Sequence, residues 1–179
     1  MIAAVLGVVG VSLTVAGLTH AARPAAVRDA LVRHGLIPAA WHRLISIALI
    51  VVEVALGAGI LASLLLARPH PALAFAAGAL LVVMTGYVHL AAQRTAGRHV
   101  PCGCGLGEAP LGLWATVRAA LLALFAVGGG VALLARDATA GLAGHRPEEI
   151  VIIVAATIAL TIGIALLPQA REDLAAVAR

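Results

Sequence analysis

Apolar residues run through this chain in long stretches separated by short polar punctuation. A helix that crosses a hydrocarbon core of about 30 Å needs roughly 20 predominantly apolar residues. Five stretches approach or exceed that length: Ile2–Thr19, Leu44–Ala67, Ala72–Ala92, Leu111–Ala135 and Ile150–Leu167. The pattern predicts an all-α, polytopic transmembrane helical bundle, a single membrane domain over residues 1–179. The fifth stretch has 18 residues, near the lower limit for a span, so four spans plus an interfacial segment is the alternative. The first stretch lacks a basic leader and exceeds the apolar core of about 7–15 residues typical of a secretory signal, so it reads as a retained helix.

The polar punctuation orders these helices. Ala67-Arg68-Pro69-His70-Pro71 is a tight turn, because proline cannot donate to a helix and restricts the residue before it. The second and third spans are therefore antiparallel neighbours. The first connection, about 22–40, carries Val27, Leu31 and Leu36 among arginines, the pattern of a short amphipathic helix on the membrane surface; a solvated loop is the alternative. Small residues fill the spans, including Gly57, Gly59 and Gly128-Gly129-Gly130, and these suit close helix packing.

Composition changes the picture in one respect: it removes the soluble alternative. The chain is 63% hydrophobic and 11% charged, against roughly 45–50% and 25% in ordinary soluble domains. Too few charges remain to solvate an exterior, so the lipid bilayer is the expected partner. The net charge of +4 comes from arginine alone, since no lysine is present. With 3% aromatic residues and no basic stretch interleaved with them, nucleic acid is not an expected partner.

Candidate chemistry concentrates in His99-Val100-Pro101-Cys102-Gly103-Cys104-Gly105, which holds both cysteines of the chain. Gly103 relaxes the backbone between two thiols whose spacing permits a small, strained ring, and strain makes a disulfide labile and exchange-prone. The start of the fourth span, with Arg98, His99 and Arg118, favours the attacking thiolate. Cys102 and Cys104 are the candidate catalytic pair. Two other readings stay open. Cys102, Cys104, His99 and His89 have donor types suited to Cu(I) or Zn(II), and buried cysteines also serve as small apolar residues without chemistry.

Odd and even connections lie on opposite faces, so the 20–43 connection shares the face of the cysteines. Glu53 then sits about 13 Å below that face and Arg118 about 10 Å below it, at 1.5 Å per helical residue. An ionisable group at such depth is costly unless paired or turned to a cavity, and the expected pair is Glu53–Arg118, structural or part of an active site. Tyr87, His89 and His20 lie toward the same face, as do Trp41 and Trp114, which suit interfacial anchoring.

Together these residues resemble the methylamine utilisation MauE family, related to DoxX-like redox-associated membrane proteins. The resemblance rests on the C-G-C stretch at 99–105, a following polar turn, a tryptophan and Arg118. It extends to Gly35-Leu36-Ile37-Pro38 and to a helix carrying Glu53 and Leu56-Gly57, down to about residue 135. Family members commonly have Phe where this chain has Leu106. The resemblance implies a DoxX-like four-helix core and thiol–disulfide chemistry beside a thioredoxin-like protein. In the type case it implies maturation of the disulfide-rich small subunit of methylamine dehydrogenase. The architecture is also similar to vitamin K epoxide reductase, with paired cysteines before a fourth helix. That family uses C-x-x-C and further cysteines in its first loop, and this chain has none there, so a self-contained two-pair relay is not expected.

The resulting expectation is a plasma-membrane, multi-pass thiol–disulfide protein. Glu53, Arg118, His99, His89 and Tyr87 support its cysteine pair. One pair on one face cannot carry electrons across the bilayer alone, so a quinone, a second protein or the same-side thiol pool must complete the cycle. A metal-handling or small-solute protein and a structural assembly subunit are the alternatives. Arginine bias places the cysteines on the cytoplasmic side; the family resemblance places them outside the cytosol, where stable disulfides form.

Overall fold

The computed structural model of the protein describes residues 2–66, 68–96, 100, 102–103, 111–135 and 145–177, with side chains to residue 166. The described residues form helices joined by short connections: α1 (Ile2–Ala22), α2 (Pro24–His34), α3 (His42–Leu65), α4 (Pro71–Arg94), α5 (Leu113–Leu134) and α6 (Pro147–Val177). All but α2 are long and apolar enough to span a membrane, with the final span at Pro147–Leu166. The marginal fifth stretch is thus a spanning-length helix. Pro71 and Pro147 open their helices at a position where the missing N–H costs nothing.

Two antiparallel pairs make the bundle. α1 packs along α3 and α4 along α5, while α3 and α4 touch only sparsely despite their tight connection. Glycine explains the closeness of the first pair. A Cβ on Gly57 would meet the backbone nitrogen of Thr14 at 2.6 Å and the carbonyl of Gly10 at 2.8 Å, so only hydrogen fits between the two helix backbones. One turn nearer the cysteine end, Gly17 lies against Val54 and Glu53. This seam sets the rotation of α3 that turns Glu53 toward α1. The core around α1 consists of Val8, Val9, Leu13, Ile60, Ala77 and Ala126. Of the spanning helices, α1 is the most deeply buried and α6 the least among the described residues, so α1 is central and α6 is peripheral. Outward faces remain apolar, as at Val51, Val83, Leu124, Val151 and Ile158, which is the surface a bilayer covers.

α2 caps the bundle at the cysteine end. Its buried residues Val27, Ala30, Leu31 and His34 follow the i, i+3, i+4, i+7 spacing of one helical face. That face turns toward α1, α3 and α4, so the amphipathic helix expected on the membrane surface directs its apolar side at the protein. Gly35 ends it in the left-handed conformation (φ 64°), its N–H donating to the Leu31 carbonyl. A 3-10 turn at Ala39–Trp41 leads into α3. There His42 Nε2 donates to the Ile37 carbonyl at 2.9 Å, and Ser46 Oγ donates to the His42 carbonyl at 2.6 Å.

Candidate functional site

The site is built where the end of α1, the middle of α3, the roof α2 and the segment before α5 converge. Leu111 N–H donates to the Val100 carbonyl at 2.8 Å, tying together the two ends of the cysteine-bearing segment. Between those ends, Cys102 is buried against Val88, Ala115, Tyr87 and Leu111. Gly103 follows with φ 67°, a left-handed conformation that side chains disfavour. Its missing side chain has a second cause: a Cβ there would lie 2.7 Å from that of Ala30. The roof helix therefore rests directly on the glycine between the cysteines.

The Gly103 carbonyl is held from below. His20, the last buried residue of α1, places Nε2 2.9 Å from that oxygen and Nδ1 2.7 Å from Glu53 Oε2. The His20 and Glu53 side chains are 4% and 6% exposed. A carbonyl oxygen only accepts, so Nε2 carries a hydrogen and donates it. The contact at Nδ1 then requires a second proton between nitrogen and carboxyl oxygen, either as imidazolium with carboxylate or as imidazole with carboxylic acid. In both forms the unit holds two protons and one unbroken chain of bonds from α3 through α1 to the cysteine segment.

This arrangement corrects the expected Glu53–Arg118 pair: among the described residues the ion pair at Glu53 is with His20. Arg118 is buried at 2% exposure. It lines a small cavity of about 50 Å³ together with Glu53 and Ser12, whose buried Oγ is unpartnered. That volume is roomy enough for water by the usual measure of about 10–15 Å³ per molecule. Tyr87 belongs to the site, its hydroxyl 2.9 Å from His34 Nδ1. His89 does not, because it is exposed on α4 and bonds Gln93 at 3.0 Å. Cys104 and His99 lie outside the described residues, and among those described no cluster of three or more His, Cys, Asp or Glu gathers.

His34 was not singled out from the sequence. Its signal was a histidine at the fourth position of an otherwise apolar helical face, Val27, Ala30, Leu31. Ser12 carried no comparable signal within its apolar stretch.

The family model for methylamine utilisation protein MauE matches residues 1–135. The chain belongs to the MauE family. Searches of curated proteins and of solved structures found no match. The MauE match contains α1 through α5 and every site residue described above, and α6 lies beyond it. This MauE-family chain is a multi-pass membrane protein, tied by its family to methylamine utilisation.

Proposed function

We propose that the protein is a thiol–disulfide exchange component of the plasma membrane, whose Cys102–Cys104 pair exchanges with a thioredoxin-like protein during maturation of a disulfide-rich client. The observation that carries this reading is the anchoring of the Gly103 carbonyl, between the two cysteines, by a buried His20–Glu53 pair. Burying two ionisable groups inside an apolar bundle is expensive, and here the structural result is a fixed position for the Gly103 carbonyl. Cys102 is buried beside that carbonyl, and Cys104 is the other cysteine of the sequence.

Exchange proceeds through attack of a thiolate on a disulfide sulfur, giving a mixed disulfide that the second cysteine resolves. Each reduction of the pair takes up two protons with two electrons, and the His20–Glu53 unit is a proton-bearing group one carbonyl away. The test is mass spectrometry of the alkylated protein in native membranes. A Cys102–Cys104 disulfide that opens with a mild dithiol and recloses on its removal is expected. Thiols that stay reduced and inert, or alkylation blocked by a bound metal, would contradict the reading.

A further inference from the structure

The sparse contact between α3 and α4 leaves a cavity beside Cys102. Its volume is about 250 Å³, and Cys102 and Gly103 form part of its wall. Ile45 and Leu49 of α3 face Val83, Met84 and Tyr87 of α4 across it, and α2 closes it with residues that include Leu31 and His34. A cavity of roughly 150 Å³ admits a benzene ring, so this one has room for a substituted ring. Val83 lines the cavity while remaining 69% exposed on the apolar exterior. An occupant therefore enters from the hydrocarbon phase.

Among the described lining residues, the polar side chains are one pair. His34 Nδ1 and the Tyr87 hydroxyl are 2.9 Å apart, with ring centroids 5.6 Å apart. The donor in this bond is set by the His34 tautomer; in the tautomer whose Nδ1–H donates to the phenol oxygen, the phenol keeps its own hydrogen for a ligand acceptor. An apolar pocket with one well-placed donor is the usual form of a small-molecule site, and an acyl chain makes no use of the donor.

We propose that this cavity binds the ring of a membrane quinone, the lipid-borne two-electron partner of the cysteine pair. The inference rests on the thiol–disulfide reading above. In the oxidising direction two S–H bonds break and one S–S bond forms between Cys102 and Cys104. The sulfurs lose two electrons, and these with the two thiol protons convert both quinone carbonyls to hydroxyls. The reverse reaction delivers the same electrons and protons from a quinol to the disulfide.

The test uses the full chain in lipid nanodiscs without oxygen. Reduction of the disulfide by dithiothreitol is measured first; an inert disulfide sinks the exchange reading and this inference with it. The reduced protein, freed of dithiothreitol, then meets a short-chain, fully ring-substituted benzoquinone, which cannot add thiols. One quinol formed per pair of thiols lost is expected. Tyr87→Phe, which removes one donor, should slow this step about three- to tenfold, the worth of one hydrogen bond, and Val83→Trp, which fills the mouth, should slow it as well. Rates are normalised to each variant's own reduction by dithiothreitol. Val82→Trp, 56% exposed and outside the cavity lining, is the control and should react as wild type. A photoreactive azidoquinone should label peptides of α2 or α4 and be displaced by excess benzoquinone. Cysteines that open with dithiothreitol but ignore the quinone, rates insensitive to both cavity variants, or label displaced equally by a fatty acid would overturn the quinone site and leave the exchange reading standing.

Discussion

Replacing both members of the His20–Glu53 pair should cost less than replacing either one. His20 Nδ1 and Glu53 Oε2 are 2.7 Å apart, with side chains 4% and 6% exposed. His20→Leu strands a buried carboxyl group and Glu53→Leu strands a buried imidazole, and breaking one side of such a pair costs about 3–5 kcal/mol. In the double variant neither ionisable group remains. What is left unsatisfied is the Gly103 carbonyl that His20 served, worth about 1–3 kcal/mol. Independent effects would put the double variant at about 6–10 kcal/mol. Neutral hydrogen bonds inside membrane bundles couple by about 0.6 kcal/mol on average and about 1.7 at most, so a protonated, charge-capable pair should exceed that ceiling. The assay is reversible unfolding in mixed micelles on addition of dodecyl sulfate, followed by far-UV circular dichroism for wild type, both singles and the double. A coupling energy within the additive scatter of about 0.3–0.5 kcal/mol would refute the pairing.

Gly103→Ala should destabilise the fold by about 1–2 kcal/mol from its left-handed backbone alone, with a further steric loss from the Ala30 contact. Adding Ala30→Gly should recover the steric part and not the backbone part, and a neutral Gly103→Ala in the same unfolding assay would remove the argument. The excess of arginines at the cysteine end predicts that the cysteines face the cytoplasm, where they would exchange with the same-side thiol pool, whereas maturation of a stable disulfide-rich client requires the opposite face. After mild reduction, a membrane-impermeant maleimide should label them only in lysed cells, and rapid labelling of intact cells would overturn that orientation.

The spans were legible because a bilayer leaves a helix little freedom in composition: each apolar stretch in the sequence became a helix of spanning length. α2 was legible from the spacing of Val27 and Leu31, although periodicity could not say whether the apolar face met lipid or protein. Glu53 announced itself as an expensive group in an apolar stretch. Its partner did not. Depth arithmetic placed Glu53 and Arg118 at similar levels, but depth carries no information about rotation around the helix axis. That rotation is fixed by Gly57 and Gly17, which draw α3 against α1 and aim Glu53 at His20. The same limit affected His89 and Tyr87. They are two residues apart on one helix and so face different ways, one outward to Gln93 and one inward to His34.

Serine replacement of each cysteine tests the central claim most directly, because a redox pair works as a unit: one thiol forms a mixed disulfide and the other resolves it. Cys102→Ser and Cys104→Ser should each remain folded in the membrane and each abolish disulfide-dependent maturation of the client in cells. One of the two should accumulate a covalent adduct with its thioredoxin-like partner, seen as a mass shift that disappears with reductant. Wild-type maturation by both single variants, with no adduct from either, would contradict the account.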